Sequence, residues 1–169
     1  MTSLENIFEI GLEKDINNVI YLSIIYANND QIYMGAYNNR FSDKGRKIVE
    51  CAGNIEECLE ELYFKLNVNE YDLKKLNYNF MVIYDKDTKD QGKSLIKTIK
   101  KKIGEKISGV EVELKEVIVD NRGFDKRIKD INSGKYVLED DEIKREYEII
   151  PNYLKKSQAK RLLEKNNKN

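Results

Sequence analysis

The sequence predicts an α+β fold of mixed α/β character, built as one domain around a mixed sheet of about five strands. Short runs rich in β-branched and aromatic residues alternate with longer segments in which apolar residues recur at helical spacing. The chain has 169 residues, of which 40% are hydrophobic and 36% charged, which is enough to bury a core. It contains one proline and no low-complexity linker. We therefore expect a single domain.

A helix and a hairpin are predicted first. Thr2 and Glu5 stand at the spacing of a capping box, and apolar residues follow at helical spacing. The run Val19 to Tyr26 is nearly all apolar and rich in β-formers, which predicts a buried central strand. Residues 28–30, Asn-Asn-Asp, favour a turn, so the alternating residues from Ile32 onward are predicted to complete an N-terminal hairpin.

Helices and strands then alternate along the rest of the core. Asn54 is placed to cap the next helix. In the last core strand, the alternating apolar residues change from one face to the other near Glu116, which predicts a bulge or twist. The expected elements are a strand at about 46–52, a helix at 55–66, a strand at 78–84, a helix from about 90 to 107 and a strand at 110–119.

The core is predicted to span residues 1–120. Residues 121–169 are predicted to form a C-terminal extension that packs on this core. The extension is expected to contain a helical stretch at 125–131, paired strands at 135–138 and 146–150 across an acidic turn at 139–142, and a basic helix at 153–165.

Composition excludes several chemistries. The chain has no histidine, so His-dependent catalysis and His-ligated metal sites are excluded. Cys51 and Cys58 have neither redox-pair nor zinc spacing, so we expect two buried free thiols and a reducing, cytoplasmic location. No apolar run approaches the length of a membrane span, and the amino-terminal residues show no secretory signal. We predict no membrane partner and no cofactor.

Lysine outnumbers arginine 24 to 6, and there are 20 isoleucines and 18 asparagines. This bias indicates an AT-rich coding genome, that of a bacterium, its phage or another mobile element. Arginine makes most bidentate base and phosphate contacts, so a lysine excess of this origin is weak evidence of nucleic-acid binding. Residues 1–91 carry 10 basic and 16 acidic groups (net −6), and residues 92–169 carry 20 and 14 (net +6). Such asymmetry is typical of a basic binding face or of two faces on one neutral domain.

The loop after the fourth predicted strand is a candidate phosphate site. Residues 92–94, Gly-Lys-Ser at a helix start, resemble the second half of a P-loop, whose lysine and hydroxyl contact phosphate and magnesium. Residues 117–120 resemble a Walker B strand. Asp87 stands where the P-loop motif has its first glycine, which places a negative charge beside the phosphates. The candidate phosphate and magnesium residues are Asp85, Asp87, Lys93, Ser94 and Asp120.

The order of predicted elements also resembles that of the ribonuclease H-like family. This resemblance implies magnesium-dependent phosphodiester chemistry, with carboxylates on the first strand, a helix and the fourth strand. Glu56 or Glu57 matches the helix position, and Asp85 or Asp87 matches the fourth strand. The first strand contains no acidic residue, so the sequence departs from the family pattern there.

Charged helices and surface tyrosines are the remaining candidates. Two lysine-rich helices predict a basic face for a protein or a nucleic acid. An acidic helix and two tyrosines on the second strand predict protein contacts. The basic-face residues are Lys97, Lys101, Lys155, Lys156, Lys160 and Arg161, and the candidate interface residues are Tyr33, Tyr37, Glu56, Glu57, Glu60 and Glu61.

These patterns predict a small cytoplasmic binding or accessory protein that engages a macromolecular partner through charged faces. The favoured partner is a protein, and nucleic acid bound by the basic helices is one alternative. The other alternative is a degenerate phosphate- or magnesium-binding enzyme, a nucleotide hydrolase or nuclease-like protein, that uses the loop at 85–94. Mg²⁺ is expected only for that enzyme, and the oligomeric state stays open.

Overall fold

A computed structural model of the chain describes residues 2–12, 19–38, 47–66 and 79–133. The described residues form four helices and five strands. In chain order these are α1 (Ser3–Gly11), β1 (Val19–Tyr26), β2 (Ile32–Asn38), β3 (Lys47–Gly53), α2 (Ile55–Lys65), β4 (Asn79–Asp85), α3 (Asp90–Lys106), β5 (Val112–Val117) and α4 (Arg122–Asn132).

The five strands form one mixed sheet in the order β3-β2-β1-β4-β5. β2 runs antiparallel to both of its neighbours, β1 and β3, whereas β1, β4 and β5 run parallel to one another. The predicted α+β class with a five-stranded mixed sheet is therefore confirmed. The further resemblance to the ribonuclease H-like family stays a prediction, because strand order alone does not establish relatedness.

The turn between β1 and β2 follows from its residue types. Asn29 and Asp30 have φ angles of 48° and 59°, a left-handed conformation that Asn and Asp tolerate better than other side chains. The Gln31 N–H donates to the Asn28 carbonyl at 2.9 Å and closes the turn. Two consecutive positive φ values match the twist of a hairpin, so the predicted N-terminal hairpin is confirmed.

The sheet is covered on both faces. α2 and α3 pack on one face, where the apolar side chains of alternate strand residues form the larger core. α1 packs on the other face over a smaller cluster, and α4 packs against α1. Helical spacing explains the burial on α3, where Ile96, Ile99 and Ile103 are at most 1% exposed while the residues between them face outward.

The predicted capping box and the predicted Asn54 cap are both present, and the second cap is also a full capping box. The Glu5 N–H donates to Thr2 Oγ1 at 3.1 Å, and the Thr2 N–H donates to the Glu5 carboxylate at 2.6 Å. Asn54 and Glu57 exchange the equivalent bonds at the start of α2, at 2.9 and 3.1 Å. The local sequence therefore determines where these two helices begin.

Of the bulge or twist predicted near Glu116, the bulge is wrong, and the twist stays a prediction. β5 pairs with β4 in unbroken register from Val112 to Val117. The apolar residues of β5 change from one face of the strand to the other because each face contributes to a core. Val112 packs with the α2–α3 cluster, and Val117 packs with the α1 cluster. The register irregularity occurs instead in the pairing of β2 with β3, between Ala36 and Tyr37.

The start of the C-terminal extension lies against the core. The helix predicted at 125–131 spans Arg122–Asn132. The Asn6 side-chain amide donates to the Asp120 carbonyl at 2.8 Å, and Lys126 Nζ donates to the Glu9 carbonyl at 3.0 Å. The strands and basic helix predicted between 135 and 165 lie outside the described residues, and the division at residue 120 stays a prediction.

Candidate functional site

The carboxyl ends of the parallel strands β1, β4 and β5 meet at one edge of the sheet, where α3 begins. This edge contains most of the predicted phosphate and magnesium residues. The Asp85 carboxylate accepts from the Asp87 N–H at 3.0 Å, and the Asp85 carbonyl accepts from the Thr88 N–H at 3.0 Å. The Asp85 carboxylate thus stabilises its own turn. The predicted role of Asp85 and Asp87 in binding an ion stays a prediction.

Lys93 lies beside a carboxylate that sequence reasoning missed. Its Nζ is 3.6 Å from Glu116 Oε1, and the Tyr84 hydroxyl donates to the same oxygen at 2.9 Å. Burial raises the pKa of Tyr84, and the hydrogen bond to Glu116 raises it further. Glu116 and Tyr84 are opposite each other on adjacent strands, a pairing that only the β4–β5 register reveals. The Lys93 charge is therefore compensated within the domain.

Packing accounts for the glycine of the P-loop-like segment. A Cβ atom on Gly92 would lie 2.8 Å from the Cβ of Tyr26, at the end of β1. The Tyr26 hydroxyl also donates to the Gln91 side chain at 3.1 Å, which fixes the start of α3 against β1. Ser94 is exposed on the first turns of this helix. Close packing therefore explains why position 92 is glycine, whether or not the loop binds phosphate.

Asp120 is engaged at the start of α4. Its carboxylate accepts from the Arg122 N–H at 2.9 Å and from Arg122 Nε at 2.7 Å. These hydrogen bonds from the Arg122 backbone and then its side chain hold the pKa of Asp120 below its usual range. The structure thus assigns Asp120 to the junction of β5 and α4. Within the described ranges, no group of three or more carboxylates or thiols is placed to hold a metal ion.

The outward face of α3 carries a compact group of lysines. Lys97, Lys100 and Lys101 are exposed and stand three or four residues apart, so their side chains project from adjacent positions. Lys101 is 3.7 Å from Glu105, a solvent-exposed ion pair of small energetic weight. Lys97 and Lys100 form no ion pair with another described residue. We call Lys97, Lys100 and Lys101 the α3 lysine group.

The acidic face of α2 is smaller than the sequence suggests, because two of its four glutamates have local partners. Glu57 belongs to the capping box. Glu56 lies 2.8 Å from Lys102 on α3, and the hydrogen bond from Lys102 lowers the pKa of Glu56. Glu60 and Glu61 remain exposed. The acidic and basic helices therefore lie side by side on one face of the sheet.

The two candidate interface tyrosines differ in exposure. Tyr37 is 1% exposed, its ring stacks on Phe8 at 4.7 Å between centroids, and its hydroxyl donates to Glu50 at 2.7 Å. It is a core residue and presents no surface to a partner. Tyr33 is half-buried beside the same cluster, and its predicted role in an interface stays a prediction.

The two cysteines are free and buried, as predicted. The structure adds a contact that their spacing did not indicate. The Cys51 thiol donates to the Met34 carbonyl at 3.7 Å, and Cys51 on β3 and Cys58 on α2 belong to the same buried cluster. Interaction with the Cys58 thiol and burial raise the pKa of Cys51. A protonated thiol is a poor nucleophile, so this geometry favours packing over reactivity.

The chain matches no protein-family model, and no characterised protein is significantly similar to it in sequence. Of the four described helices, none combines the length and hydropathy that crossing a bilayer requires. The remaining residues of the predicted basic face lie outside the described residues; they are Lys155, Lys156, Lys160 and Arg161.

Proposed function

We propose that this protein is a small cytoplasmic binding or accessory protein whose contact surface is the outward face of α3, and that its partner is an acidic protein surface. The observation that carries the proposal is the α3 lysine group. It places three positive charges on adjacent positions of one helix, and two of them have no acidic partner among the described residues.

The helix beneath the group is anchored on the sheet. α3 is held by buried isoleucines that pack against the strands, and its helical geometry sets the spacing of the lysines. Gly104 follows Lys100 and Lys101 by one turn, and a Cβ there would meet nothing within 4 Å. Glycine costs a helix interior about 1 kcal/mol relative to alanine. Its presence on the exposed face leaves room for the backbone of a partner to approach beside the lysines.

An acidic protein fits this surface better than a nucleic acid does. α3 contains no arginine and no aromatic residue, which are the side chains that read bases and stack on them. Lysine acts as a flexible point charge that suits carboxylates on a protein. The exposed Glu60 and Glu61 on the neighbouring α2 add the opposite charge at the border of the surface, which would orient such a partner.

The test is a charge reversal with a matched control. We expect K97E/K101E to weaken binding of a fluorescent glutamate-rich peptide by about tenfold or more, equivalent to roughly 1.4 kcal/mol. The control K65E/K86E makes the same change in net charge on α2 and just after β4 and should leave the affinity near that of the wild type. K156E/R161E reports separately on the predicted terminal helix. Equal affinity of K97E/K101E and the wild type would remove the proposal.

The wild type and the same variants also test the alternative functions. Tighter binding of a short mixed-sequence oligonucleotide, with strong salt dependence, would replace the acidic protein by a nucleic acid. A thermal-shift panel with Mg²⁺, ATP and GTP tests the enzymatic alternative, since a ligand at 100 times its Kd stabilises by about 2.7 kcal/mol. A nucleotide that raises the melting temperature only with Mg²⁺, and no longer does so in Lys93→Ala, would instead assign the function to the loop at 85–94.

A further inference from the structure

Helix α4 packs against the domain through its polar side. Gly123 is buried against Asn6, and a Cβ atom at this position would collide with the Asn6 side chain. Lys126 reaches the buried Glu9, with Nζ 3.6 Å from the carboxylate. A helix on a domain surface normally buries its apolar stripe and exposes its polar face. α4 does the reverse.

The outward side of α4 exposes two large apolar residues. Phe124 is 37% exposed and Ile128 is 56% exposed, and their spacing of four residues places them on one stripe. Ile118 and Val119, which precede the helix, are 50% and 36% exposed. We call these four residues the outer stripe. They are four of the five large apolar residues that are exposed in the described part of the chain, and all four lie in one stretch of the sequence, a concentration that is typical of a contact surface.

We propose that the outer stripe is the docking site of this chain's own residues 135–150. The described part of the chain ends at Ser133, directly after α4, and 36 residues follow. Their first part contains two short apolar runs, Tyr136-Val137-Leu138 and Ile149-Ile150. A segment that begins at the end of α4 needs only to reverse direction to lie along the helix. The tether also gives it a high effective concentration, which a separate partner lacks.

Charge favours the same occupant. The connection between the two apolar runs begins with four consecutive acidic residues, 139–142. α4 exposes Arg122, whose guanidinium is paired with Asp120, together with Lys129. An acidic connection beside these two cations gains electrostatic complementarity, whereas a second copy would bring an identical pair of cations against them.

Hydrogen exchange of the full-length chain tests this inference. In the wild type, we expect backbone amides of 135–150 to exchange at least about tenfold more slowly than an unstructured chain would. In F124S/I128S this protection should be lost, while amides of β1 and β4 stay protected. Phe64→Ser on α2, which removes an aromatic ring that is 77% exposed, is the matched control and should leave 135–150 unchanged.

The outcomes separate the possible occupants. Unprotected amides in wild-type 135–150 would overturn the proposal without reference to any variant. Protection that survives in F124S/I128S would place the segment elsewhere and would also overturn it. Light scattering completes the test, because a dimer that dissociates in F124S/I128S would assign the outer stripe to a second copy. Ile128→Ser alone removes the most exposed of the four residues and supplies a milder variant with the same expected direction.

Discussion

The two faces of the sheet are built differently. The face under α2 and α3 buries apolar side chains and two thiols. The α1 side of the sheet contains the polar residues Asn6, Glu9 and Ser23, each at most 4% exposed. The carboxylate of Glu50, only 4% exposed, belongs to the same side and accepts hydrogen bonds from Tyr37 and from Thr2, the residue that caps α1.

This difference separates two physical tasks. Apolar burial is non-directional and scales with area, so the α2–α3 face contributes mainly stability. Hydrogen bonds to a buried carboxylate are directional, so the α1 face specifies how one short helix lies on the sheet. α1 is also the helix against which α4 docks, and its position therefore determines where the outer stripe lies.

The largest expected effect is on the apolar face. Leu62→Ala removes a side chain with 0% exposure and should lower the free energy of unfolding by roughly 2–5 kcal/mol, because it leaves a cavity. Urea denaturation measures this loss. Phe64→Ala on the same helix truncates an exposed ring and is the control, with an expected change within about 0.5 kcal/mol. Similar losses in both variants would contradict the claim that buried apolar side chains on this face contribute most of its stability.

An intermediate effect is expected on the polar face. Glu50→Ala should cost roughly 1–3 kcal/mol, because the hydroxyls of Tyr37 and Thr2 lose their buried acceptor. Adding Tyr37→Phe should recover part of that loss, since it removes one of the orphaned donors, and a double-mutant cycle quantifies the coupling. Glu113→Ala, an exposed glutamate on β5, is the control. Additive effects of Glu50→Ala and Tyr37→Phe would show that this face is not specified by the carboxylate.

The smallest expected effect is on the pH dependence of the free energy of unfolding. Burial, reinforced by Glu50, raises the pKa of Tyr37 far above its ordinary value. The unfolded chain ionises this tyrosine near pH 10, whereas the folded chain keeps the proton, so stability falls as pH rises above about 10. Tyr37→Phe should make this alkaline decline shallower, as measured by urea denaturation between about pH 9 and pH 11. An equally steep decline in the variant would contradict the assignment.

Much of the fold could be predicted because its signals are local. The buried strand Val19–Tyr26 was predicted with the bounds that it has, and α3 was predicted within one residue at its end. The candidate sites were less predictable. The ion pair of Lys93 with Glu116 could not be predicted because the two residues are distant in sequence, and the burial of Tyr37 could not be predicted because strand alternation does not say which face is covered.

The sequence by itself determined the helices, the hairpin turn and the two capping boxes of this protein. Each depends on hydrogen bonds or periodicities within a few residues, which the order of side chains specifies directly. Only the tertiary structure decided that Cys51 meets Cys58, that Glu50 is buried under α1 and that α4 turns its apolar stripe outward. Those features depend on which distant segments pack together. Packing is a property of the whole sheet and its covering helices, and no local pattern encodes it.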